Sequence, residues 1–247
     1  MKRCCLFLTC YPMTNPAVLT IYNKVVKMCN ECDIDLYLYV NNEDVEYEVF
    51  DNTIYFSYDY LKQKYNYNIT FLHHKPFHGL MNLPLIDLYR NHNEYDNYIF
   101  YEDDVLYQGD KNLFTLFDYS YDMVFQDERQ YNVIWYWYLN MNNYYGNIKN
   151  EYLPYSGLLN IFAVSNKFLN EYYNFLKETG LMAFHEYSIN SFTINRANKN
   201  ILTYTALPNS LSKNMEYKSD LLKHGNHYNI VHPIKTLKDL KLYSIDG

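Results

Sequence analysis

The sequence predicts an α/β protein with a mostly parallel central sheet flanked by helices. Three observations predict it. Short apolar runs alternate with helical stretches through about the first 100 residues, the signature of βαβ units. Hydrophobic residues make up 49% and charged residues 20% of the 247, enough apolar material for a sizeable core without disulfides or structural metal. No repeat, linker or low-complexity tract interrupts the chain, so residues 1–247 read as one domain.

The elements follow in order. Residues 4–10 are a short apolar run, as expected of a buried strand. Asn15 and Pro16 are an N-cap and a first helical residue, and Val18, Ile21, Tyr22, Val25 and Cys29 then recur at helical spacing over 16–30. Strands are expected at 36–40, 54–56 and 69–72, a helix over 80–90 and a strand at 98–101. The second half is less regular. Strands are expected at 121–126 and 158–164, and Ser165 caps a helix over 166–177. A helix over 185–197 and a β-like run at 201–207 follow, while "NVIWYWYLN" fits either state and the last forty residues read as a polar tail.

Charge and composition exclude several functions. The net charge is −7 with no basic block, which argues against a nucleic-acid partner because phosphate neutralisation needs clustered Lys and Arg. No apolar run approaches the roughly 18–20 residues of a membrane span. "MKRCCLFLTCYP" turns polar too soon for a secretory signal. All five cysteines precede residue 33, and an odd count without a leader is expected of reduced thiols in a cytoplasmic protein. Cys29 and Cys32 have the spacing of half a zinc site, but no second Cys-x-x-Cys follows, so both read as small buried apolar residues. The 31 tyrosines are spread evenly and mark no particular groove.

The chemistry concentrates in "NEYDNYIFYEDDVLY", residues 93–107. An apolar strand runs directly into Glu102, Asp103 and Asp104, and Val105 and Leu106 follow at once. Three adjacent carboxylates repel one another, and a place beside a buried sheet raises the cost. A hard divalent cation with oxygen ligands removes it; a solvated acidic turn is the other reading. Continued strand alternation would set Glu102 and Asp104 on one face and Asp103 on the other.

This pattern resembles the DXD-type motif of glycosyltransferases of the GT-A fold, in which a hydrophobic strand meets an acidic triplet. The order of segments resembles the family over most of the chain: "CLFLTCYP" opens a Rossmann-like half, "GLMNLPLIDLYRNH" precedes the acidic strand, and "YSGLLNIFAVSNKFL" and "FHEYSINS" follow on the acceptor side. The resemblance implies a nucleotide-sugar-binding half at 1–107 and a smaller acceptor-binding β/α region with a tail at 108–247. It implies Mn2+ or Mg2+ as cofactor, with Asp104 as direct ligand. Glu102 and Asp103 would face the ribose, the donor sugar or metal-bound water. Thr9 and Tyr11 would line the nucleotide pocket. Glu186 would be the base that deprotonates an acceptor hydroxyl, although a solvated Glu near a helix start is an equally good account of it. In "VHPIK", which resembles the family's C-terminal histidine region, His232 would be a further metal ligand and Lys235 a point charge toward diphosphate. His73 and His74 are adjacent and point apart, and His224 and His227 complete the C-terminal group of histidines.

Other layouts find little support. Neither a P-loop nor a Gly-x-Gly-x-x-Gly fingerprint is present, "YSGLLN" lacks the flanking glycines of a nucleophile elbow, and His-Glu-x-x-His is absent. The expected activity is metal-dependent transfer of a sugar from a UDP- or GDP-sugar to a carbohydrate or other hydroxyl acceptor. Two other readings stay open. One is a sugar nucleotidyltransferase, which usually carries a Gly-rich basic loop after the first strand, where this chain has "TCYPMTNP". The other is a non-catalytic carbohydrate- or protein-binding module on a decayed transferase fold, which metal-dependent nucleotide binding would exclude.

Overall fold

The computed structural model describes residues 1–9, 11–41, 52–65, 68–69, 81–125, 159–179, 181–182, 185–196, 200–203, 215–216, 230–231 and 234–243. Strand β1 (Arg3–Thr9) leads to helix α1 (Pro16–Glu31). The Asn15 side chain accepts the Ala17 N–H at 3.0 Å and proline starts the helix, so the local start signals act as expected. The helix ends where Asp33 takes a φ of 53°, a left-handed conformation that Asp tolerates.

Strands β2 (Asp35–Asn41) and β3 (Thr53–Phe56) come next, then helix α2 (Tyr58–Tyr65) and the short β4 (Asn68–Ile69). Helix α3 (Asn82–Asn91) accepts Pro84 because it lies in the first turn, where no intrahelical N–H bond is lost. The remaining elements are β5 (Asn97–Glu102), β6 (Leu106–Tyr107), β7 (Met123–Phe125), β8 (Ile161–Ser165), α4 (Asn166–Thr179), β9 (Leu181–Met182), α5 (His185–Asn195), β10 (Ile201–Thr203), β11 (Met215–Glu216), β12 (Ile230–Val231) and α6 (Leu237–Tyr243). Ser165 caps α4 by accepting the Phe168 N–H at 3.0 Å.

The main sheet has seven strands in the order β10-β7-β8-β5-β1-β2-β3. β8 runs antiparallel to both its neighbours, and every other pairing in this sheet is parallel. β1 sits inside it and sends alternate residues to two apolar layers. Cys5 and Phe7 join Val18, Ile21 and Val25 of α1, while Cys4, Leu6 and Leu8 join Leu85 and Leu88 of α3, Phe168 and Tyr172 of α4, and Ile189 of α5. Cys4, Cys5 and Cys29 are buried and Cys32 is half-buried, all as free thiols, which agrees with their expected packing role. Cys10 lies outside the described residues.

Within the second layer a polar contact ties three helices together. Asn82 on α3 donates Nδ2 hydrogens to Tyr172 of α4 and Ser188 of α5, each at 3.0 Å, and the two hydroxyls lie 2.9 Å apart. Burial pushes the Tyr172 phenol up to about 12, partly offset by its bonds to Ser188 and Asn82. Burial, reinforced by Asp110, does the same at Tyr107, up to about 12. The folded chain therefore holds these protons more tightly than the unfolded chain. Their contribution to stability is complete below the ordinary phenol value of 10.0 and is lost as pH rises through about 12. Urea unfolding at stepped pH should show stability falling above pH 10, with a shallower fall in Tyr172→Phe.

The structure departs from the expected elements in several places, among them the expected strand over 158–164, which begins at Ile161, and the short strands β6, β9, β11 and β12, which the sequence pattern does not predict. The expected strand over 121–126 begins at Met123, because Tyr121 N–H turns back to the Asp118 carbonyl at 3.3 Å. Helix α2 and helix α6, the latter inside the stretch expected as a polar tail, were not anticipated. The ambiguous run 132–140 lies outside the described residues.

Candidate functional site

The acidic triplet sits at the carboxyl ends of β1 and β5, where Leu8 is in register with Glu102. β5 ends at Glu102, and Asp103 and Asp104 form a turn closed by the Val105 N–H on the Glu102 carbonyl at 3.4 Å. Strand alternation therefore does not extend past Glu102. Asp103 N–H makes a backbone bond to the end of β1, on the Leu8 carbonyl at 3.1 Å, and the chain turns immediately after it. The three residues are only 5%, 5% and 8% exposed, so this is not a solvated turn.

Asp103 belongs to the β1 side. Its Oδ2 accepts the Thr9 hydroxyl at 2.6 Å and the Tyr11 N–H at 3.1 Å, which makes Thr9, Tyr11 and Asp103 one hydrogen-bonded unit. Asp104 belongs to the C-terminal side, because its carbonyl accepts the Ile234 N–H at 2.7 Å. β12 guides that segment in, pairing antiparallel with β6 so that Val231 meets Leu106. Thr236 and Asp239 then cap α6 reciprocally, each accepting the other's backbone N–H at 3.1 Å.

Lys235 is anchored at this point by its carbonyl, which accepts Asn15 Nδ2 at 3.1 Å. Its ammonium lies 5.7 Å from the centroid of the Tyr11 ring. Partial burial pulls its pKa down, but the Tyr11 hydroxyl and the charges of Asp104 and Asp103 outweigh that and leave it raised. A cation beside paired carboxylates is what this local field favours.

Glu102 and Glu186 form a second group, tied to the first through β5. Glu102 Oε2 accepts Asn160 Nδ2 at 2.6 Å, its N–H bonds the Asn160 carbonyl at 3.0 Å, and His185 Nε2 stands 3.5 Å from Oε1. Glu186, in the first turn of α5, is buried, and its Oε1 accepts the Leu159 N–H at 3.3 Å. It is thus not the solvated helix-start residue that one reading expected.

The structure therefore brings Thr9, Tyr11, Asp103, Asp104 and Lys235 together, and places Glu102 and Glu186 around residues 159–160. His232 lies outside the described residues, as do His73, His74, His224 and His227. Among the described residues no group of three or more His, Cys, Asp and Glu is placed to hold a metal. Asn160 and His185 were not singled out from the sequence. The available signals were an Asn immediately before a buried strand and a His immediately before a candidate base.

No helix among the described residues is long and apolar enough to cross a membrane. No protein-family model matches the chain, and no curated protein matches it in sequence. Two solved structures to which the chain is similar are both glycosyltransferases. One is involved in the glycosylation of the major capsid of PBCV-1, at 10% identity and a TM-score of 0.44, with 93% of each chain covered. The other is the galactosyltransferase LgtC in complex with donor and acceptor sugar analogs, at 8% identity and a TM-score of 0.47, covering 94% of this chain and 87% of that one.

Proposed function

We propose that this chain is a metal-dependent glycosyltransferase that moves a sugar from a UDP- or GDP-sugar to a hydroxyl acceptor on a carbohydrate or glycoconjugate. The observation that carries the reading is the buried Asp103–Asp104 turn at the carboxyl ends of parallel β1 and β5, with Thr9, Tyr11 and the Lys235 cation around it. Open α/β sheets bind their ligands outside the carboxyl ends of the strands. A donor diphosphate arriving beside buried carboxylates is repelled unless cations intervene.

The donor chemistry fits Mn2+ or Mg2+, since the turn supplies hard carboxylate oxygens. Asp104 would hold the cation, and His232 is proposed as a second ligand on the resemblance of "VHPIK" alone. When bound, such a cation supplies a Lewis acid for charge building on a departing diphosphate. Lys235 contributes a point charge toward the same diphosphate. Thr9, Tyr11 and Asp103 line the nucleotide side, Glu102 faces the donor sugar, and Glu186 takes the acceptor proton. The rest of the rate enhancement is proximity in a dry cleft.

Calorimetry of the full chain with UDP and GDP, with and without millimolar Mn2+, tests the reading. Binding that requires Mn2+ is expected, and a nucleotide at 100 times its dissociation constant should stabilise the fold by about 2.7 kcal/mol. No affinity for either nucleotide in Mn2+ overturns the proposal.

A further inference from the structure

We infer that His185 is a positioning residue that sets the placement of both Glu102 and Glu186, an inference that rests on the glycosyl-transfer reading above. Three contacts around residues 159–160 and 185–186 close into a ring. Glu102 bonds Asn160 at 2.6 Å; its chain neighbour Leu159 donates to Glu186 at 3.3 Å; and His185, next to Glu186 in the chain, returns to Glu102 at 3.5 Å. Two pairs of consecutive residues, one before β8 and one at the start of α5, thus clasp the carboxylate at the end of β5.

Each member is buried. Glu102 is 5%, Asn160 3%, His185 2% and Glu186 6% exposed. The His185 ring lies with its centroid 6.3 Å from that of Phe100, in the apolar layer between the sheet and the helices. A further brace comes from Asn190, whose Nδ2 donates to the Glu186 carbonyl at 2.5 Å one turn along α5.

Stability alone does not account for this choice of residues. Taking an imidazole and a carboxylate out of water is costly, and a well-packed apolar pair in their place is often neutral or stabilising. What the pair supplies is direction. Asn160 holds Oε2 by a hydrogen bond, and the His185 ring stands 3.5 Å from Oε1, limiting where that oxygen can turn. Because residues 185 and 186 share one helical turn, the same imidazole sets the distance from the acidic turn to Glu186. A reaction that joins donor and acceptor needs that distance fixed, since a misplacement of about 1 Å can cost about 100-fold in rate.

The test compares His185→Leu and His185→Gln with the unmodified chain in Mn2+. UDP binding is measured by calorimetry, turnover with UDP-galactose and GDP-mannose, and folding by circular dichroism. His185→Leu is expected to bind UDP within about twofold of the unmodified chain while kcat falls roughly 10- to 100-fold. His185→Gln, which keeps an N–H able to reach Glu102, recovers most of that loss. Combined with Glu102→Gln, His185→Leu should add little further loss, as residues acting as a unit do. A folded His185→Leu chain with undiminished kcat, or fully additive losses, overturns the inference alone. If His185→Leu does not fold, Glu102→Gln with and without His185→Ala makes the same comparison. An unmodified chain that neither binds UDP nor turns over either donor overturns the functional reading instead.

Discussion

Asp104→Asn is expected to remove most of the proposed transferase activity and to leave the fold intact. Asparagine keeps the shape of the side chain, and the backbone carbonyl still accepts the Ile234 N–H at 2.7 Å, so the C-terminal segment stays docked. What disappears is one negative charge in a turn where three carboxylates are buried together. Electrostatic groups that meet charge developing in a transition state are typically worth about 100- to 1,000-fold, and a loss of that size is expected. Stability without metal should be equal or slightly higher, because carboxylate repulsion is relieved. Lys235, whose raised pKa owes part of its shift to Asp104, should titrate lower in the variant. Steady-state assays in Mn2+ and urea unfolding of the same preparation check both halves. Near-native turnover would overturn the proposed role of Asp104 as a metal ligand.

Glu186→Gln separates two mechanisms. The glutamine Oε1 can still accept the Leu159 N–H now bonded to Glu186 at 3.3 Å, so the ring around residues 159–160 persists and basicity alone is lost. If the enzyme inverts the anomeric centre, a base must take the acceptor proton as the bond forms, and turnover should fall about 100- to 10,000-fold with donor affinity unchanged. If it retains, the leaving group and acceptor exchange the proton between themselves and the substitution costs little. NMR of the product's anomeric proton reports the stereochemistry independently. Inversion with an undiminished variant would move the base elsewhere, with Asp127 and Glu128, which follow β7 in sequence, first to be tried.

The elements legible in the sequence are those with a strong local cause. α1 was readable because Asn15 and Pro16 announce its start and its apolar residues recur at one spacing, and Ser165 announced α4 in the same way. β1 and β5 were readable because they are nearly continuous apolar runs covered on both faces, and β2 because its apolar run ends in three buried residues. α2 was missed because "YDYLKQKY" is mostly polar, and what recruits it is tertiary. Lys64 and Tyr65 reach across to the buried Asp87 of α3 at 2.6 and 2.7 Å. At the site, Asp103, Asp104 and Lys235 were legible as types of residue, but not their division of labour. The turn after Glu102 sits against the end of β1, where Asp103 bonds Leu8, ninety-five positions earlier, and local spacing carries no trace of that contact. The same distance hid Asn160 and His185, which matter only once β8 and α5 have brought them beside β5.

The sheet order has a consequence for how the chain is made. β1 lies between β2 and β5, and its register with β5 joins Arg3 to Asn97. During synthesis at about 5–20 residues per second, β2 is ready soon after β1, but the opposite edge of β1 stays unpaired for roughly 5 to 20 s until β5 emerges. The waiting strand is "RCCLFLT", with no proline and a charge only at its first residue, which makes it an exposed template for association with other chains. A nascent chain that stalls before Asn97 would hold that edge open to pairing with other chains.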